Sequence, residues 1–125
     1  NWMLLDLLSA YDKAEKNKAQ YLSAAKAFAE WLIDVGEDVL NKEILILNLY
    51  QVYKRERRLT KDEIRNLCIM TETKNQSENI LVGAYLLLDN LVAAEMHFDR
   101  MEPMQQDEFR TYPICRFWTK KMEEA

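Results

Sequence analysis

Glycine and proline are nearly missing from this sequence, with two of each in 125 residues. A β-sandwich or barrel of that length needs many more turn residues, so neither is expected. Cysteine is as scarce. Cys68 and Cys115 stand far apart and unclustered, a pattern that suits a reducing compartment, and a cytoplasmic location is expected. His97 is the single histidine, which removes the usual His-based metal frames. There is no glycine-rich phosphate loop and no Glu-x-x-His motif of the helical di-iron bundles. No apolar run reaches about eighteen residues, so no membrane contact through a spanning helix is expected. Residues 2–10 are apolar but lack the basic start and small-residue cleavage site of a signal peptide. Basic charge is not in surplus either, and the net charge of −4 argues against a general nucleic-acid binder.

What is present is helical. Apolar residues make up 49% and charged residues 30% of the chain, the balance of a globular protein, and Leu, Ala, Glu, Lys, Gln and Met dominate. The length is that of a single domain, 1–125. The chain opens on Asn1 rather than Met, as a piece of a longer protein or a trimmed chain does.

Leu4, Leu8 and Tyr11 mark a first helical stripe, with Leu5 and Leu7 beside it; Tyr21, Ala25, Phe28 and Leu32 mark a second. Either Asn17 caps a new helix between them or one helix of more than about thirty residues runs through; a break is expected, because uncapped helices of that length are rare in small domains. Gly36 stands where a helix end prefers glycine. Residues 37–58 form a third segment whose centre, 44–53, is apolar nearly all round. A strand is the competing reading, but about twenty residues without Gly or Pro favour a buried helix. Thr60 and Glu63 have capping-box spacing, flanked by Leu59 and Ile64 as a hydrophobic staple. Asn75 and Glu78 repeat the spacing and open a helix over 78–88. Asp89 and Asn90 make a turn, and 91–101 form the next helix. Pro103 marks its end or the start of a short successor. The tail beyond Pro113 carries Ile114, Phe117 and Trp118. Short loops force antiparallel neighbours, so the expected fold is all-α, roughly six or seven antiparallel helices in stacked hairpins, as a short solenoid or an irregular bundle.

Residues 78–101 resemble a tetratricopeptide repeat. Leu81 and Tyr85 stand at its first-helix positions, Ala94 and Phe98 at its second-helix positions, and the turn at Asp89 and Asn90 falls where that family places its own. Glu78 occupies the position where the family favours Trp, Val82 replaces its small residue with Gly83 one place late, and Pro103 comes early. About a fifth of the chain matches this pattern; the pair over 37–70 is only loosely similar. The resemblance implies a protein or peptide partner and no catalysis or cofactor. It places a concave groove on Gln76, Asn79, Gly83, Leu86 and Leu87, and on Asn41, Ile44, Asn48 and Gln51 from the earlier pair.

No catalytic residue is expected. At helical spacing His97 meets Ala93, Ala94, Arg100 and Met101, none a carboxylate to orient it, so it is expected to pack in the hairpin or lie at the surface. A HEPN-type ribonuclease would need an Arg shortly before this His, and the nearest is Arg65. Cys68 shares the apolar side of its helix with Ile64 and Leu67 and is expected in the core. Met96, Met101 and Met104 read as core filling rather than an adaptable contact surface. The one rival feature is the basic cluster Lys54, Arg55, Arg57 and Arg58. It would serve a nucleic-acid-binding or processing bundle, though a solvated helix end that complements the helix dipole is the simpler reading. Two expectations follow: a non-catalytic protein-interaction module, the sensor or docking arm of a larger protein, and a tail over 109–118 folded back on the 91–101 helix, with Lys120 and Lys121 facing water. The alternative for that tail is a homodimer contact.

Overall fold

The computed structural model describes residues 2–35 and 42–118. Every element among them is helical, and no strand occurs among the described residues. The chain divides into two compact units, Asn1–Leu59 and Thr60–Ala125, at a point where the sequence shows no linker composition.

The first unit holds α1 (Trp2–Lys13), α2 (Lys18–Val35) and α3 (Lys42–Glu56). The expected break is present. Asn17 sits just before α2 at φ 65°, a left-handed conformation that Asn tolerates better than most residues, and its carbonyl accepts from the Gln20 and Tyr21 N–H groups. Each helix packs on the other two. Leu4 and Leu8 of α1 are wholly enclosed, and α2 turns Ala25 and Ala29 inward, small side chains that let a neighbouring helix approach. Tyr21, expected in the stripe, is exposed instead. The strand alternative for 44–53 fails: α3 is a helix, buried on nearly every side from Leu45 to Val52. Gly36, Asn41 and the start of the third segment lie outside the described residues.

The second unit contains α4 (Lys61–Glu72), α5 (Glu78–Leu87), α6 (Leu91–Asp99), α7 (Pro103–Phe109) and a single 3-10 turn, Pro113–Cys115. The capping box forms as expected: the Glu63 N–H donates to Thr60 Oγ1 at 3.2 Å, and the Thr60 N–H donates to Glu63 Oε1 at 2.8 Å. The second cap does not. Ser77, not Asn75, precedes α5, and Asn75 lies in the preceding turn at φ 57°, where its left-handed backbone takes the chain out of line for the helix start.

Helix α5 is the centre of this unit, packed against α4, α6 and the 3-10 turn. It closes in a Schellman motif: the Asp89 N–H donates to the Leu86 carbonyl and the Asn90 N–H to the Tyr85 carbonyl. Asp89 takes the left-handed position at φ 61°, where glycine is usual. Asn90 then starts α6, its Oδ1 accepting from the Ala93 N–H at 3.2 Å. Gly83, Ala84 and Ala94 are all buried, and these small side chains allow the close α5–α6 approach. Pro103 takes the first position of α7, where its missing N–H costs nothing. Beyond it the tail turns inward. Phe109 and Ile114 are buried, and Phe98 meets the edges of Phe109 and Trp118 at 6.1 and 5.0 Å. Lys120 and Lys121 lie outside the described residues.

Candidate functional site

A cleft of about 410 Å³ opens in the second unit between the start of α5 and helix α7. Ser77, Glu78 and Asn79, the cap and first turn of α5, form one wall. Gln105 and Glu108 of α7 form the other. Met101 and Phe109 lie beneath, 7% and 3% exposed, and Tyr112 closes one end. The result is an apolar floor under a polar, acidic rim. Local sequence explains the arrangement: Pro103 starts α7 two residues after the buried Met101, and α7 then carries Gln105 and Glu108 to the cleft while Phe109 turns inward.

Each rim carboxylate is held on one side only. Glu108 Oε1 accepts from the Tyr112 hydroxyl at 2.9 Å. Burial, with the bond to Glu108 and that carboxylate's charge, raises the Tyr112 phenol above its ordinary value of 10.0. Glu78 Oε2 lies 2.7 Å from His97 Nδ1 on α6. A carboxylate can only accept here, so His97 carries its proton on Nδ1. The imidazole lies nearly parallel to the Tyr85 ring, centroids 5.4 Å apart, and its side chain is 12% exposed.

His97 thus packs in the hairpin, one of the two expected places, but with an orienting carboxylate that its own helix does not supply. The two residues come from the facing helices of the α5–α6 hairpin, Glu78 from the first turn of α5 and His97 from the last turn of α6. Spacing within one helix could not reveal the pair, and counting outward from the turn would have matched Glu78 with Arg100 instead.

Of the expected groove positions, Asn79 alone lines the cleft. Gln76 is half-buried and donates from Nε2 to the Met70 carbonyl at the end of α4. Gly83, Leu86 and Leu87 are interior packing residues, because α5 is covered by α4, α6 and the 3-10 turn. In the first unit Ile44 is half-buried, and the buried Asn48 and Gln51 bond to each other at 3.1 Å. Asn41 lies outside the described residues.

The basic cluster is likewise divided. Arg55 is buried and grips Asp12 of α1 through Nε and Nη2. Arg57 lies over the Tyr53 ring at 4.5 Å, and Glu56 within the cluster pairs with Lys26 at 3.2 Å. Lys54 is half-buried and Arg58 exposed. The methionines also differ from expectation: Met101 is core, but Met96 and Met104 are 48% and 82% exposed, on faces of α6 and α7 turned from the interior.

Cys68 is half-buried. Burial pushes the Cys115 thiol up to about 11, the charge of Arg110 opposing only in part, and its Sγ donates to the Phe109 carbonyl at 3.2 Å. At neutral pH it is a poor nucleophile. Among the described residues no three His, Cys, Asp or Glu side chains gather as metal ligands would, and no helix is long and apolar enough to cross a membrane. No protein-family model, curated protein or solved structure matches this chain.

Proposed function

We propose that this chain is a non-catalytic protein-interaction module, a tetratricopeptide-like arrangement of helical hairpins acting in the cytoplasm as the sensor or docking arm of a larger protein. The observation that supports this reading is the cleft between α5 and α7, with its apolar floor and polar rim on a closely packed hairpin. Its volume is at the small end of the range of about 300–1,000 Å³ typical of ligand pockets, a fit for one or two side chains of a partner segment. The groups around it are engaged in bonds that hold the fold: His97 with Glu78, Tyr112 with Glu108. The nucleic-acid alternative is weaker than the sequence suggests, since Arg55 is buried against Asp12.

The test is site-specific photocrosslinking. A photoreactive residue placed at Asn79 should trap one discrete protein in cells that produce the chain, and the same residue at exposed Lys61 should not. Crosslinks to nucleic acid from Arg58, with none to protein from position 79, would overturn the reading.

A further inference from the structure

We infer that the cleft accepts a basic side chain, a lysine or arginine on an extended segment of a partner protein, stem down and charge at the rim. This rests on the interaction-module reading and adds the chemistry of the partner. Met101 and Phe109 offer an apolar floor, and a long alkyl stem is the part of a basic side chain that gains from lying on such a surface while its charged head stays near water. The head would meet Glu78 and Glu108. Each already spends one oxygen, on His97 and on Tyr112 respectively, and each has a second to offer. Those internal bonds also hold the two carboxylates in place, so less side-chain freedom is lost when a cation arrives.

The opposing term is the α5 N-terminus, which forms one wall. A helix start carries the equivalent of roughly half a positive charge, and alone it would favour an anion. Two carboxylates outweigh it, and Glu78 stands in the first turn of that same helix, where its charge offsets the dipole most directly. The balance at the rim favours a cation.

Three capped alanine heptapeptides test this, with lysine, norleucine or glutamate at the centre. Norleucine keeps the stem and removes the charge; glutamate reverses it. Titrated into the isotopically labelled full chain, the lysine peptide should move the amide resonances of Ser77, Asn79 and Glu108. It should bind about fivefold more tightly than the norleucine peptide, the most that a solvent-facing ion pair normally supplies. Glu108→Gln, which keeps an acceptor for Tyr112, should cut that advantage over norleucine to about half or less. Equal binding of lysine and norleucine, tighter binding of glutamate, or shifts scattered away from the cleft would each overturn the inference. A protein trapped at Asn79 together with failed lysine selectivity would refute the basic-segment claim and leave the interaction reading intact. Selective lysine binding with no trapped protein would do the reverse.

Discussion

Arg55 and Asp12 form a two-pronged ion pair between α3 and α1, with Nε and Nη2 of the arginine donating to the two carboxylate oxygens at 2.9 and 2.8 Å. The Arg55 side chain is fully enclosed, and that of Asp12 is 20% exposed. Nη1 of Arg55 also donates to the Gln51 carbonyl at 3.0 Å. A guanidinium removed from water needs its partner, so Asp12→Ala should cost about 3–5 kcal/mol by stranding a buried charge. Arg55→Met removes the charge and keeps most of the volume, and it should cost much less. Urea unfolding of the two variants gives the comparison. Equal losses would mean that packing, not charge pairing, holds this contact.

Phe98 is the corresponding anchor of the second unit. It is 5% exposed and meets the edges of Phe109 and Trp118. Phe98→Ala should cost about 3–5 kcal/mol. Val92, on the same helix and 82% exposed, is the control, and Val92→Ala should fall within about 0.5 kcal/mol of the parent. Thermal melts of both settle the point. A Phe98→Ala loss under about 1 kcal/mol would place that ring outside the core.

The features legible in the sequence were those written into short stretches of chain. The Thr60–Glu63 box, the break at Asn17 and the turn at Asp89 and Asn90 depend on hydrogen bonds between groups only a few residues apart, and all three form. The helical character of α3 was readable from length alone. What could not be read was which side of a helix its neighbours would cover. Leu86 and Leu87 were placed on an open groove, yet α5 is wrapped by other elements and both are interior. Arg55 looked like part of a basic surface because Asp12, its partner, comes from a helix far back in the sequence. The cleft itself draws on residues from Ser77 to Tyr112, a span that no single periodicity covers.

Cys115 gives a prediction in alkali. Burial lifts its thiol from an ordinary value of 9.0 to about 11 in the folded chain. A raised pKa on an acid means that the folded state favours the protonated form. The associated stability is therefore present below the unfolded value near 9 and is lost as pH rises towards 11. Tyr112, also raised, acts in the same direction at higher pH. Denaturant midpoints measured from pH 8 upward should fall more steeply for the parent than for Cys115→Ala. Alkylation of the folded chain at pH 8 should be slower at Cys115 than for a free thiol. A Cys115 that reacts as fast as a free thiol would show that its burial does not persist in solution.

The tail provides the last test. Ile114 is 4% exposed, the Pro113–Cys115 turn packs on α5, and Trp118 meets Phe98, so these side chains cover the hairpin from within the same chain. The alternative was a homodimer contact, in which the tail would hide its apolar surface in a second copy. Deleting residues 112–125 separates the two. As an intramolecular cover, the tail shields Phe98 and Phe109, and its removal exposes a contiguous apolar patch of the kind that drives association. The truncated chain should melt at a lower temperature and aggregate, while the parent sediments as a monomer. Ile114→Ala in the intact chain should reproduce part of the loss, about 2–5 kcal/mol for a buried isoleucine, without changing the sedimentation coefficient. A parent that sediments as a dimer, paired with a truncated chain that is a stable folded monomer, would assign the tail to the interface instead.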